Sequence, residues 1–477
     1  MNNRRQFLGN LATAAGLALP SQGATARPNI VYILSDDLGW GDLGCYNKDS
    51  AIPTPNADRL ATQGVRFTDM HSPSSVCTPT RYGILTGRYC WRSRLKKGVL
   101  DGYSPNLIEP GRETVASLLR KQGYYTGGIG KWHLGLGDTQ PVDYSKPFRP
   151  APTSHGFDSY FGIPASLDMA PYVYVENDHA AEQPTAHTPG RNQPRGVFWR
   201  EGGIAPSLKI EEVLPTLTRR AVSFLRERAG QPAKPFFLYL PLTGPHTPWV
   251  PTREFQGRSK AGIYGDFVTQ VDDTLGQILF ALDEHKMTDN TLLVFTSDNG
   301  AHWTPEDKAK FPHRANANWR GQKADIWDAG HRIPFLVRYP GKAKAGSVSN
   351  QLGCLTDLMA SLAELQGIKL LDNAGEDSFS WLPCLNGARG KREAVVHHSS
   401  LGMFSLRKGD WKLEAGLGSG GFSDPKSEEP VAGGPQGQLY NIARDPSEQD
   451  NQYLRQPELV ASLTALLDKY QREGRSR

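Results

Sequence analysis

A cysteine and an arginine separated by about one helical turn could together bind an anion. Pro79 has a fixed φ and no N–H, which favours the first position of a short helix that ends before Gly87. Cys77 would lie just before that helix, where free N–H groups and a partial positive charge attract anions. Arg81 could lean back towards it. For these residues alone, the alternative is a buried cysteine beside a surface arginine.

Acidic and amide side chains follow two apolar runs that have the character of buried strands. Asp36 and Asp37 come directly after the first run, and Asp298 and Asn299 come just after the second. Two adjacent carboxylates are costly to bury without a cation, because like charges raise each other's pKa. The four side chains offer only oxygen ligands, which suits Ca²⁺ or Mg²⁺ better than zinc. A solvated turn is the alternative for the acidic pair taken alone.

Lysines and histidines also follow predicted strands, or lie in polar segments, elsewhere in the chain. Lys131 and His133 follow a short apolar strand and are flanked by glycines, which indicates a tight backbone that presents both side chains inward. His246 lies between two prolines after another predicted strand, and Lys323 lies in a later polar segment. Ordinary loop residues are the alternative for the first pair.

The elements that must position these side chains alternate between strands and helices, which predicts a doubly wound α/β sheet. Strands are predicted at 30–34, 65–68, 124–129, 236–240, 292–296 and 335–338, and helices at 55–63, 114–122, 211–229 and 264–285. The carboxyl ends of parallel strands share one edge of such a sheet, where ligands bind. We therefore expect the polar clusters to meet at that edge. The segment 136–210 is too long for a simple connection and predicts a functional excursion.

The C-terminal part has a different pattern. Short strands separated by glycine-rich turns begin near residue 386 and predict a small antiparallel sheet, followed by a helix at 457–472. We therefore predict a catalytic domain at 27–385 and a smaller C-terminal subdomain at 386–477, preceded by a signal peptide at 1–26.

The first 26 residues resemble a twin-arginine export signal. Arg4 and Arg5 precede a mildly apolar core and a small-residue cleavage site that ends at Ala26. The core is too short to anchor the chain in a membrane, so we expect an exported, periplasmic protein. The net charge is +5, or +3 without these two arginines, which is too weak to indicate nucleic-acid binding.

The cysteines give no metal pattern. Their count of five is odd, and their spacing matches no zinc site. The sequence leaves open whether disulfides form among Cys45, Cys90, Cys354 and Cys384.

The string Cys77-Thr78-Pro79-Thr80-Arg81, followed by Leu85-Thr86-Gly87-Arg88, resembles the signature of the type I sulfatases. Nearly all of the chain after the signal is similar to that family, and in particular to the group of arylsulfatase A and N-acetylgalactosamine-6-sulfatase. The resemblance implies an alkaline-phosphatase-like fold with a mixed sheet. It also implies that a formylglycine-generating enzyme oxidises Cys77 to formylglycine, whose hydrated aldehyde is the nucleophile.

The resemblance implies a metal and a role for each polar residue. A Ca²⁺ ion would be held by Asp36, Asp37, Asp298, Asn299 and the modified Cys77. Arg81 would lower the cost of an anionic oxygen on the hydrated aldehyde. The sulfate would be contacted by Lys131, His246, Lys323 and Ser166, although Leu167 stands where a histidine often follows that serine. His246 or Lys323 would protonate the leaving oxygen. His133 would take the second hydroxyl proton and so expel sulfate.

These implications predict a sulfuric ester hydrolase that acts on a sulfated carbohydrate of galactose type. One alternative is a phosphonate or phosphodiester hydrolase of the same superfamily; phosphomonoesterases there usually use two zinc ions, and the sequence lacks a second ligand set for them. The other alternative is a non-catalytic carbohydrate-binding relative with an unmodified Cys77. The intact set of charged residues argues against it, since binding alone does not need them all.

Overall fold

A computed structural model describes residues 27–477 of the chain, so the predicted signal peptide at 1–26 lies outside the described residues. The strands are β1 (Asn29–Asp36), β2 (Val65–Phe67), β3 (Met70–His71), β4 (Tyr125–Lys131), β5 (Ser159–Ile163), β6 (Val175–Glu176), β7 (His179–Ala180), β8 (Ala186–Thr188), β9 (Gly202–Ile204), β10 (Phe236–Pro245), β11 (Thr291–Ser297), β12 (Phe335–Arg338), β13 (Ser347–Ser349), β14 (Gly353–Cys354), β15 (Ala394–His398), β16 (Phe404–Lys408), β17 (Trp411–Glu414) and β18 (Gln438–Asn441). The helices are α1 (Pro55–Gln63), α2 (Cys77–Thr86), α3 (Val115–Lys121), α4 (Val213–Ala229), α5 (Gly262–Glu284), α6 (Pro305–Lys310), α7 (Asp328–His331), α8 (Leu358–Leu365) and α9 (Pro457–Glu473).

One large mixed sheet of ten strands dominates the fold, in the order β13-β2-β12-β11-β1-β10-β4-β5-β6-β7. The five neighbours from β11 to β5 run parallel, whereas β12 pairs antiparallel with β11. Strand β10 is buried along its whole length, and β1 is buried from Ile30 onwards. Parallel strands covered on both faces need continuous apolar residues, which explains the uninterrupted run 30–34. The predicted α/β class with a mixed sheet is therefore confirmed.

The helices form two groups around this sheet, and the helices within each group are packed together. Helix α5 packs against α1, α4 and β10, while α2, α3 and α8 pack against one another. Helix α5 is the longest, and its buried residues recur on most turns, so it covers much of one side of β10. This arrangement leaves the ends of the parallel strands free to carry polar side chains.

A separate sheet of four antiparallel strands, in the order β15-β16-β17-β18, lies in the C-terminal part of the chain, and helix α9 packs on its two middle strands. Its hydrophobic cluster also takes in Tyr89 and Trp91 from the segment after α2. The predicted small sheet and terminal helix are thus present. The domain boundary at 385/386 falls within a short 3-10 helix at Leu382–Asn386 and stays a prediction.

Three local features differ from the sequence-based expectations or complete them. Helix α2 begins at Cys77 itself, because proline is tolerated throughout the first turn, where N–H groups have no intrahelical partner. Strand β10 runs past residue 240 to Pro245, because its pairing with β1 continues to Asp36. Within residues 27–477 all five cysteines are free thiols. No helix in that range is long and apolar enough to cross a membrane.

Candidate active site

Helix α2 places the cysteine at the carboxyl edge of the large sheet. Cys77 is its first residue and is buried. The helix ends at Gly87, whose φ of 64° is left-handed and favours glycine. The Sγ atom of Cys77 lies 3.6 Å from Asp36 Oδ1 at the end of β1. Burial raises the pKa of the Cys77 thiol well above its usual range, so an unmodified thiol here stays protonated.

Three carboxylates and an amide meet beside this cysteine. Asp37 follows β1 with a φ of 64°, and its backbone N–H donates to Asp298 Oδ1 over 3.2 Å. Asn299 Nδ2 donates to Asp37 Oδ1 over 2.7 Å. All these side chains are buried. Ligand atoms of Asp36, Asp37, Cys77 and His246 lie within 4.8 Å of one another. The acidic clusters predicted after two separate strands therefore lie together, because those strands, β1 and β11, are parallel neighbours.

Each carboxylate is paired with a buried cation. Arg81 donates from Nε and Nη2 to Asp298 Oδ2, over 3.1 and 2.8 Å, and its Nη1 donates to the Lys131 carbonyl over 2.9 Å. Lys131 Nζ donates to Asp36 Oδ2 over 2.6 Å. Lys323 Nζ donates to Asp37 Oδ2 over 2.8 Å.

The backbone before Lys131 requires glycine. Gly130 has a φ of 139°, and a Cβ there would lie 1.8 Å from the Pro241 carbonyl oxygen of the neighbouring strand. The close approach of β4 to β10 at this point carries Lys131 to Asp36.

The ion pairs set the protonation states. Burial by itself would raise the pKa of Asp36, but Lys131, His246 and Arg81 outweigh it and lower that pKa below its ordinary value. Asp37 has a lowered pKa for the same reason, with Lys323 as its main partner. Burial opposes the charge of Lys323, yet Asp37 raises its pKa above the usual range. At neutral pH these carboxylates are therefore anionic and Lys323 is cationic.

His133 lies on the wall of a cavity that is also lined by Asp37 and Cys77, and its tautomer is fixed. Its Nε2 lies 2.7 Å from the Leu100 carbonyl, which can only accept, so Nε2 carries the proton. Its Nδ1 is buried and finds no hydrogen-bond partner among the described residues. Burial, together with the charges of Lys131 and Arg81, holds the pKa of His133 well below its usual range. The imidazole is thus neutral, with its lone pair on Nδ1.

Ser166 and His246 complete the polar wall. Ser166 Oγ lies 3.2 Å from Lys131 Nζ and 3.3 Å from either ring nitrogen of His246. His246 Nδ1 donates to the Thr247 carbonyl over 2.6 Å, and its Nε2 lies 3.7 Å from Asp37 Oδ2. Ser166 therefore lies in the cluster even though its neighbour Leu167 departs from the resembling pattern.

Several cavity residues were not found by sequence reasoning. The cavity has a volume of about 320 Å³, and it is also lined by Arg195, Arg200, His302 and Phe422. Two of these residues are held in place by ion pairs: Arg195 pairs with Asp307, and Arg200 pairs with Asp168. They come from irregular segments, including the predicted excursion 136–210, so no periodicity marked them. Phe422 belongs to the loop between β17 and β18, far along the chain.

The donor set fits a hard cation. The described residues offer no hydrogen-bond partner to Asn299 Oδ1, a buried oxygen that lies among three carboxylates. Asn299 Nδ2 is already used by Asp37 Oδ1 and the Gly300 carbonyl, which fixes the orientation of the amide. Carboxylate and amide oxygens are the ligands that Ca²⁺ prefers.

Comparisons with known proteins agree with the resemblance of the sequence to the sulfatases. The sequence profile of the sulfatase family matches residues 28–368. An N-acetylgalactosamine-6-O-sulfatase from Bacteroides thetaiotaomicron is 36% identical, over 93% of each chain. Human arylsulfatase A is 33% identical over 92% of this chain and 85% of its own length. A solved structure from work on the metabolism of multiple glycosaminoglycans by Bacteroides thetaiotaomicron has a TM-score of 0.82 and 34% identity, covering 93% of this chain and 99% of its own. The chain therefore belongs to the sulfatase family and is a sulfatase.

Proposed function

We propose that this sulfatase is formylglycine- and calcium-dependent and removes sulfate from a carbohydrate of galactose type. One observation carries the proposal: Cys77, at a helix N-terminus, lies beside the paired carboxylates and cations at the ends of β1, β4 and β11. A sulfate monoester is a compact anion, and this is the one place described above where several buried cations face a cavity.

The nucleophile is assigned to position 77. We infer that a formylglycine-generating enzyme oxidises Cys77, and the hydrated aldehyde then supplies an oxygen nucleophile with a second hydroxyl on the same carbon. Arg81 stabilises negative charge beside it, because its guanidinium is fixed by Asp298 and by the Lys131 carbonyl. The unmodified thiol suits this attack poorly, since burial keeps it protonated.

His133 is assigned as the general base. It is neutral, its Nε2 proton is committed to Leu100, and Nδ1 is left to accept a proton from a hydroxyl at position 77. The bond to the Leu100 carbonyl keeps the ring in this orientation.

His246 is assigned as the acid that protonates the leaving oxygen, and Lys323 as a sulfate contact. The raised pKa of Lys323 makes it a poor proton donor near neutral pH. His246 Nδ1 is tied to the Thr247 carbonyl, so Nε2 is the nitrogen that remains for the substrate. Lys131 and Ser166 are assigned as contacts to other sulfate oxygens, which the 3.2 Å separation of Lys131 Nζ and Ser166 Oγ supports.

Calcium is assigned to Asp36, Asp37, Asp298 and Asn299, with the modified residue 77 beside them. The ion would supply positive charge for the sulfate and for the nucleophile. The three carboxylates are already matched by Arg81, Lys131 and Lys323, so the added cation gives the site the net positive charge that a sulfate ester needs.

The substrate class rests on the cavity and on the relatives. A cavity of about 320 Å³ with aromatic and arginine walls suits one sugar ring at a chain end. Arg195 and Arg200 are held by carboxylates but remain partly exposed, so they can contact a second anionic group on a neighbouring sugar. A relative named N-acetylgalactosamine-6-O-sulfatase supports a galactose-type sugar. We also propose that the chain is exported to the periplasm by residues 1–26.

Relative turnover of an aryl sulfate and the matching aryl phosphate, measured with protein produced alongside a formylglycine-generating enzyme, tests the reaction class. We expect turnover of the sulfate to dominate, and the peptide that contains residue 77 to have the mass of formylglycine. Preferred phosphate turnover would favour the phosphoester alternative. Fully active enzyme with only a thiol at position 77 would refute the proposed nucleophile. Sugar binding without turnover of either ester would favour a carbohydrate-binding relative.

Position-defined sulfated saccharides then test the substrate class. We expect the fastest release of sulfate from 6-sulfated galactose-type sugars at a chain end. Faster hydrolysis of sulfated steroids or lipids than of every saccharide would refute the assignment.

A further inference from the structure

Three buried histidines meet outside the cavity around Cys77. His71 ends β3, His331 ends α7 and His397 lies in β15. Each ring is fully buried, and one nitrogen from each lies within 4.8 Å of the other two. The described residues that line the Cys77 cavity do not include them. The proposed sulfatase chemistry therefore gives this histidine cluster no role.

Two of the three tautomers are fixed by backbone carbonyls. His331 Nε2 lies 3.0 Å from the Ile326 carbonyl, and His397 Nδ1 lies 3.2 Å from the Ser72 carbonyl. A carbonyl oxygen only accepts, so both of these nitrogens carry a proton. In the neutral rings the lone pairs are then on His331 Nδ1 and His397 Nε2.

The third tautomer is fixed by a carboxylate. His71 Nε2 lies 2.9 Å from Asp69 Oδ1, and Asp69 forms ion pairs with Arg332 and Arg407. His71 Nε2 therefore donates, and the His71 lone pair is on Nδ1.

Two of the three nitrogens that carry lone pairs lie side by side, and the third has no partner of its own among the described residues. His71 Nδ1 and His331 Nδ1 are 3.0 Å apart, and His397 Nε2 has no hydrogen-bond partner anywhere in residues 27–477. Two acceptors at that distance repel unless a cation or an extra proton lies between them. Each ring is also oriented by an outer hydrogen bond from its other nitrogen, which is the usual support of a metal-binding histidine.

We propose that His71 Nδ1, His331 Nδ1 and His397 Nε2 bind a zinc ion. Neutral imidazoles suit zinc, whereas Ca²⁺ prefers oxygen, so the two ions would occupy different sites. The His331 and His397 rings are stacked, with centroids 3.6 Å apart, so one ring must tilt for the ion to lie in both ring planes.

The ion would join two parts of the molecule. His71 and His331 belong to segments next to the large sheet, where they are linked by the Ser72 N–H bond to the His331 carbonyl. His397 belongs to the four-stranded sheet. Zinc would thus hold the C-terminal sheet to the part of the chain that leads into α2 and Cys77.

Metal analysis of the full-length protein tests this. Calcium-saturated wild type is incubated with ZnCl₂, desalted and analysed by inductively coupled plasma mass spectrometry. The variant is His397→Gln, and the matched control is His398→Gln, the adjacent buried histidine, whose Nε2 bonds instead to the Lys96 carbonyl. We expect one zinc per chain in wild type and in the control, and loss of that zinc in His397→Gln. Added zinc should raise the midpoint of thermal unfolding of wild type but not of His397→Gln.

Wild type that retains no zinc would overturn the proposal and leave a proton shared by His71 and His331. Zinc retained equally by His397→Gln would also overturn it, since the ion would then be elsewhere, for example at the site of Asp36, Asp37, Cys77 and His246. If His397→Gln does not fold, Co²⁺-loaded wild type decides: visible bands typical of nitrogen-coordinated cobalt are expected, and their absence refutes the site. None of these readouts depends on sulfatase activity.

Discussion

Replacement of His133 by asparagine is expected to remove the proposed general base without disturbing the backbone. The residue has a φ of 58°, a left-handed conformation that asparagine tolerates far better than most residues do. Asparagine cannot accept the proton, because its amide is not basic. The lost bond from Nε2 to the Leu100 carbonyl should lower the free energy of unfolding by about 1 kcal/mol, so the variant should fold.

The size of the effect follows from the site. Among the described residues His133 offers a buried, neutral imidazole with an unpartnered nitrogen in the cavity wall. General base catalysis contributes about 10²–10⁴-fold. We therefore expect kcat for an aryl sulfate to fall by about that factor, equivalent to about 3–5 kcal/mol in the activation free energy.

The pH profile gives a second readout. The lowered pKa of His133 means that the base stays neutral down to acidic pH, so the acidic limb of kcat/KM should lie below pH 6.5 in the wild type. That limb should vanish in His133→Asn. His155→Asn is the matched control: His155 is also buried and burial lowers its pKa to about 4, but it bonds to Asn106 Oδ1 and lies off the cavity.

We expect His155→Asn to keep most of the wild-type activity and its acidic limb. If His133→Asn turned over aryl sulfate about as fast as His155→Asn, or kept the same acidic limb, His133 would not be the base.

Other perturbations test the rest of the site. Asp298→Asn removes the charge of the carboxylate whose Oδ2 accepts from both Nε and Nη2 of buried Arg81. The free energy of unfolding, followed in urea, should fall by about 3–5 kcal/mol, and elemental analysis should show loss of calcium; unchanged stability would contradict the pairing. Arg200→Gln should raise KM by about fivefold for a sulfated, uronate-containing disaccharide and leave KM for a small aryl sulfate unchanged, and an equal effect on both would exclude an outer anion contact. Burial lowers the pKa of His155 and His302 to about 4, so as pH falls these histidines are protonated in the unfolded chain before they are protonated in the folded one. The free energy of unfolding should therefore fall between pH 6.5 and 4, by up to about 1.4 kcal/mol per pH unit for each histidine, as measured by urea titrations.

The polar residues at the carboxyl edge of the sheet could be predicted because their positions follow directly from strand order. Asp36 and Asp298 each come at or just beyond the end of an apolar run, and the runs proved to be the parallel neighbours β1 and β11. Lys131 was predicted for the same reason at the end of β4. In these places one local pattern, a strand followed by polar residues, was enough to place a side chain.

The outer cavity and the histidine cluster could not be predicted in this way. Arg200 and Phe422 lie in irregular segments whose course depends on packing, and no period marks them. His71, His331 and His397 are separated by long stretches of chain. Contacts between distant segments bring them together, among them the bonds from the Ser72 N–H to the His331 carbonyl and from the Ser75 N–H to the His398 carbonyl. The tautomers that make the cluster unusual depend on carbonyls that a sequence does not show.

The burial of Cys77 has a consequence for timing during synthesis. In the folded chain the sulfur is out of reach of any large enzyme, with only 2% of the residue exposed. Lys323, which completes the site by pairing with Asp37, leaves the ribosome roughly 250 residues after Cys77. At about 5–20 residues per second, that interval is on the order of 10–50 s. On the proposed function, a modifying enzyme must therefore act before the site folds. Synthesis alone leaves the site incomplete for at least that interval, so a slower translation rate should increase the fraction of active protein.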